Sequence, residues 1–113
     1  MRAKELSCVD YEQGLERFSG NEQLFEKFLK KLAAGDDGET AAELMANGDK
    51  EAAYAVIHTL KGTSGNLSIN KLYAACCEFT KEYKAGNHNK LPFLLEIIDG
   101  EFKKAAEEIS KLD

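Results

Sequence analysis

Ala55-Val56-Ile57-His58-Thr59-Leu60-Lys61-Gly62-Thr63-Ser64-Gly65-Asn66-Leu67 is the stretch that decides how this chain folds. At about 100° per residue it reads as an amphipathic helix, with Ala53, Val56, Ile57, Leu60, Ser64 and Leu67 on one side. His58 falls roughly 150° from the middle of that stripe, so it is expected to face solvent. Its helical neighbours are Tyr54, Ala55, Thr59, Lys61, Gly62 and Gly65, and most of them are small. Each glycine inside a helix costs roughly 1 kcal/mol relative to alanine. Two of them beside an exposed histidine suit a surface that another macromolecule must approach closely.

Working outward, amphipathic segments continue in both directions. Residues 10–18 read as a short first helix with Leu15 and Phe18 inward. Ser19-x-x-Glu22 is a candidate capping box and Asn21 a rival N-cap. Either starts a helix with Leu24, Phe25, Phe28, Leu29 and Leu32 on one face. Gly35-Asp36-Asp37-Gly38 interrupts, and Thr40-x-x-Glu43 suggests a second capping box for a short helix through Met45. Asn47-Gly48 ends it, and Asp49 caps a helix over about residues 50–67. A further helix over about residues 69–85 carries Ile69, Leu72, Cys76, Phe79 and Tyr83 on one side, with Gly86 as its C-cap. The last begins near Asn89, with Pro92 in its first turn, and keeps its period through Leu112 across a weak point at Asp99-Gly100. No segment shows the alternation of a strand. The expectation is an all-α, antiparallel four-helix bundle with a short N-terminal helix covering one end.

Bulk properties narrow the function. A chain of 113 residues reads as a single domain, residues 1–113. Its net charge of −5 gives no general attraction for nucleic acid or anionic lipid, so neither is expected as a partner. No apolar run approaches the roughly 20 residues of a membrane span, and the N-terminus lacks the apolar core of a signal peptide. Three cysteines, with Cys76 and Cys77 adjacent, suit a reducing compartment. A cytoplasmic monomer is the expectation. Cys76 reads as a buried small hydrophobe, and no further ligands sit at metal-site spacing. A di-iron bundle needs Glu-x-x-His pairs, yet Ala55 and Ala85 stand three residues before the two histidines.

The run His58-Thr59-Leu60-Lys61-Gly62-Thr63-Ser64-Gly65-Asn66-Leu67 resembles the signature of histidine-containing phosphotransfer (HPt) domains. The resemblance extends to residues 9–22, to Phe25–Leu32 and to Asn47-Gly48-Asp49. One departure is Ser68, where the family usually has glycine; a serine there could cap the following helix. The resemblance implies a helical bundle that carries a phosphoryl group between receiver domains, fed by a (hybrid) histidine kinase. It implies His58 as phosphoacceptor through Nε2. It also implies no cofactor of the chain's own, with Mg²⁺ expected on the partner receiver.

The residues suit that chemistry. A free imidazole titrates near pH 6.5, roughly, and when neutral is a competent nucleophile. Lys61 lies at i+3, where its ammonium can steady a phosphoryl group; a plain solvated charge is the alternative. Gly62 at i+4 removes a side chain that would crowd the oxygens. Tyr54, Ala55, Thr59, Gly62 and Gly65 would then be the docking surface for the receiver; the two glycines could instead serve helix packing. His88, in the polar loop Gly86-Asn87-His88-Asn89-Lys90, reads as solvated. No G-x-x-x-x-G-K-[ST] or G-x-G-x-x-G motif is present, so a phosphocarrier is expected rather than an ATP-dependent enzyme. A bundle that docks receivers without phosphoryl transfer is the competing reading, and the intact His58, Lys61 and Gly62 weigh against it.

Overall fold

The computed structural model describes residues 1–113 and contains helices and turns only. The helices are α1 (Tyr11–Arg17), α2 (Glu22–Ala33), α3 (Asp37–Ala46), α4 (Lys50–Asn66), α5 (Asn70–Lys84) and α6 (Leu91–Ile109). Short 3-10 turns occupy Ala3–Glu5 and His88–Lys90. Helices α3, α4, α5 and α6 pack in a closed cycle, each against the next, and α6 returns to α3. This is the expected antiparallel bundle, with one refinement. Its fourth column is composite: α3 packs beside the N-terminal half of α6, around Leu95 and Asp99, and α2 beside its C-terminal half, around Ala106 and Ile109. The particle is 40 × 22 × 18 Å.

The core follows from the apolar stripes. Phe25, Leu29, Ile57, Leu60, Leu72, Phe79, Leu91 and Ile98 are essentially inaccessible to water. Each large aliphatic or aromatic side chain buried in this way contributes about 2 kcal/mol. The short α1 covers one end: Phe25 lies against Gly14, and an added Cβ there would come within 2.3 Å of the Phe25 ring. The Asp10 amide donates to the Ser68 carbonyl at 3.0 Å, tying that end to the α4–α5 turn.

Helix starts partly follow the sequence signals. Asp10, Asn21 and Asp49 cap α1, α2 and α4, each accepting from the amide three residues on. Ser19 is not the cap of α2; it sits at φ 54° as the chain leaves α1. Thr40 does not begin α3 either. The helix starts at Asp37, and the Thr40 amide already donates to the Asp36 carbonyl at 2.8 Å. The reason is tertiary: Gly38 lets this first turn press on α6, where a Cβ would approach the Asp99 Cα to 3.2 Å. Helix α6 runs unbroken across Gly100, and its entry over His88–Lys90 is a 3-10 turn, with the α-helix itself starting at Leu91.

Ser68 corrects a second expectation. It is not the N-cap of α5; that position is Ile69, whose side chain caps nothing. Ser68 instead closes α4 in a Schellman motif. Its amide donates to the Gly65 carbonyl at 3.2 Å, and the Ile69 amide donates to the Ser64 carbonyl at 3.0 Å. The motif demands a left-handed residue, and Ser68 has φ 57°. At the equivalent ends of α3 and α5 the chain uses Gly48 and Gly86. Ser68 is also fully buried, and its hydroxyl has no hydrogen-bond partner. Ser68→Gly therefore removes both a left-handed strain and an unmet polar group. The substitution is expected to raise unfolding stability by about 1 kcal/mol, read from urea or thermal midpoints. An unchanged or lowered midpoint would contradict this account of the turn.

Candidate functional site

Helix α4 is positioned by what it buries. Ala53, Ile57, Leu60 and Ser64 are fully inaccessible between α3 and α5, and Val56 is half-buried. With that stripe fixed inward, His58 is carried to the exposed face with Ala55, Thr59 and Gly62. No hydrogen bond from or to the imidazole is made within the protein. Both ring nitrogens are therefore free to meet something from outside. Ser64 faces inward, as its place in the stripe implied, and its hydroxyl donates to the Lys61 carbonyl at 3.2 Å.

Side chains on a helix lean toward its N-terminus, so each covers the turn before its own Cα. A side chain at position 62 would thus lie back over His58. Gly62 leaves that space empty: an added Cβ there meets nothing within 4 Å. Lys61 is half-buried and makes no ion pair. It is therefore an uncommitted cation one turn from His58.

Gly65 has a different use. An added Cβ there would come 2.9 and 3.0 Å from two carbons of the Tyr73 ring. The glycine forms a seat for Tyr73 of α5, so its smallness is consumed inside the chain. Tyr54 also turns out to be engaged. It is half-buried, with its ring tilted at 42° to His58 at a centroid distance of 5.9 Å. Behind it Tyr83 of α5 stacks at 4.3 Å and 20°. His88 stacks on the far side of Tyr83 at 5.1 Å and 21°. His88 is therefore half-buried against a ring and not solvated as expected. Helical spacing links Tyr54 to His58, but only the register of α4 on α5 brings Tyr83 and His88 into line.

The loop holding His88 is itself pinned. The Asn87 side-chain amide donates to a Glu82 carboxylate oxygen at 2.7 Å, and Lys90 lies 3.6 Å from the same oxygen. These contacts, the Asn87 hydrogen bond foremost, hold the Glu82 carboxyl below its ordinary range despite burial. On the opposite flank, Asp37 at the start of α3 lines a shallow hollow with Ala55, Val56 and Thr59. Burial, and after it the neighbouring Asp36, raises the Asp37 carboxyl. Cys76 is buried, which pushes its thiol up to about 12 and leaves it an unreactive core side chain. No group of three or more His, Cys, Asp or Glu side chains converges anywhere in the chain. No helix is long and apolar enough to cross a membrane.

The two glycines of the motif can be separated by alanine. Gly62→Ala fills open space and improves helix propensity, so it should stabilise the fold by about 1 kcal/mol. Gly65→Ala gains the same propensity but must displace the Tyr73 ring, so its denaturation midpoint should fall clearly below that of Gly62→Ala. Equal midpoints would mean that Tyr73 does not depend on its seat.

No curated protein and no solved structure matches the chain. The family model of the Hpt domain matches residues 23–111, which run from the first turn of α2 past the end of α6 and include His58, Lys61 and Gly62. The N-terminal turn and α1 lie before that match. This match covers most of the chain, and the chain therefore belongs to the histidine-containing phosphotransfer (Hpt) domain family.

Proposed function

We propose that His58 accepts a phosphoryl group from a receiver-domain aspartate, or from a kinase, and passes it to another receiver. Membership of the family places the chain in two-component phosphorelay. The observation that supports His58 as its acceptor is the exposed, unbonded imidazole one turn from Gly62, where an added Cβ would meet nothing. His88, the other histidine, is occupied in a ring stack.

In the forward step the neutral imidazole attacks phosphorus through the lone pair of Nε2. The N–P bond forms as the P–O bond to the partner aspartate breaks, and the carboxylate leaves with the bonding pair. The product is a phosphoramidate, which a second receiver's aspartate can attack in turn. Lys61 steadies the phosphoryl oxygens as a point cation. The chain brings no carboxylate cluster to His58, so charge neutralisation by Mg²⁺ belongs to the partner receiver. The chain acts as a phosphocarrier. Ala55, Thr59 and Gly62, with Tyr54 and Gly65 at the edges, form the surface on which the receiver docks. In-line transfer needs the two folded domains within a few ångströms, and small side chains permit that approach.

His58→Gln should abolish uptake of acid-labile phosphate from a phosphorylated receiver, with helical circular dichroism unchanged. Labelling of this variant at the normal level would remove His58 from the role. Lys61→Ala should fold normally and transfer about tenfold more slowly, since a partly exposed cation beside a dianion contributes about 1 kcal/mol. A normal rate and a normal phosphohistidine lifetime would make Lys61 a solvated bystander.

A further inference from the structure

An exposed imidazole turns freely unless something holds it, yet in-line transfer requires its Nε2 lone pair to be aimed. Histidines with chemical roles are usually aimed by a hydrogen bond from the second ring nitrogen. His58 has no such bond within the chain, and its one aromatic contact is Tyr54. The lean of helical side chains toward the N-terminus brings the imidazole over the turn that carries Tyr54. Tyr54 is in turn stacked on Tyr83, and Tyr83 on His88. The wall thus joins α4, α5 and the α5–α6 connection, and its far end is pinned by the Asn87–Glu82 hydrogen bond. Near-parallel rings at 4.3 and 5.1 Å resist rotation collectively, where a single exposed tyrosine would not.

We infer that Tyr83, acting through Tyr54, is a positioning residue for the phosphoacceptor: the stacked rings hold the His58 imidazole in the orientation that transfer requires. The inference rests on His58 being the phosphoacceptor. It gives Tyr54 a role beyond that of a docking contact, and it brings into the site a residue of α5 that never meets the phosphoryl group. It also makes the loop around His88 part of the support for the site.

The test separates orientation from docking and from folding. Tyr83→Leu keeps an apolar side chain at a half-buried position but removes the stacking plane. Its saturating transfer rate should fall by about fivefold to tenfold, with receiver affinity within about twofold of normal. Tyr83→Phe, which retains the ring, should restore the rate. In ¹H–¹⁵N spectra of the histidine side chains, the His58 ring signals should shift in Tyr83→Leu and return in Tyr83→Phe. If Tyr83→Leu folds poorly, Tyr83→Met carries the same comparison, since it too removes the ring and leaves the docking surface untouched. A normal saturating rate in the folded ring-less variant would overturn the inference. A loss confined to receiver affinity, or a loss not restored by Tyr83→Phe, would do the same. Failure of the phosphoacceptor assignment would show separately, as continued labelling of His58→Gln.

Discussion

The burial of one face of α4 between α3 and α5 is the constraint on which the rest of the molecule depends. Ala53, Ile57, Leu60 and Ser64 form a narrow stripe, and small residues at its two ends let the neighbouring helices approach closely. Once that stripe is inside, helical geometry leaves His58 no choice but the opposite surface. The histidine is not placed by any bond of its own. It is placed by the hydrophobic free energy of residues on the other side of the same helix, at about 2 kcal/mol for each of Ile57 and Leu60.

That economy has a consequence for the chemistry. A side chain fixed only through its backbone is exposed and reachable, which suits a group that must meet partner proteins. It is also poorly aimed. The rings behind it supply the missing restraint without occupying either imidazole nitrogen, as a hydrogen-bonding carboxylate would. A carboxylate beside the ring would also repel the phosphoryl group that the proposed role brings to it. An aromatic wall adds no charge, and the uncommitted ammonium of Lys61 is left as the near cation on that helix face.

The turns show how local strain is distributed. Four helix ends, those of α1, α3, α4 and α5, close with the same paired amide–carbonyl bonds. Two use glycine at the left-handed residue, α1 uses Ser19, and α4 uses Ser68. Its carbonyl also receives the Asp10 amide, so the same turn joins the N-terminal cap to the bundle. The strain at Ser68 is tolerated because the surrounding Leu67, Ile69 and Leu72 are buried and hold the turn in place.

Much of this was legible in the sequence, because helical periodicity is a local property. The 3.6-residue repeat assigned the helices, the inward stripe of α4 and the outward phase of His58, and residue size alone marked Gly62 as open. The residues that escaped did so for non-local reasons. Thr40 resembles a cap, but α3 begins earlier because Gly38 fits against Asp99 of a helix some sixty residues away. Gly65 looks like Gly62 in sequence, yet the docking of α5 places the Tyr73 ring over one and leaves the other bare. Tyr83 and His88 carry no signal that ties them to His58. The sequence by itself determined which face of each helix is apolar. Only the tertiary structure decided the register of α4 against α5, and with it which rings stand behind the histidine, because register is set by side-chain packing across helices and not by the order of residues along one.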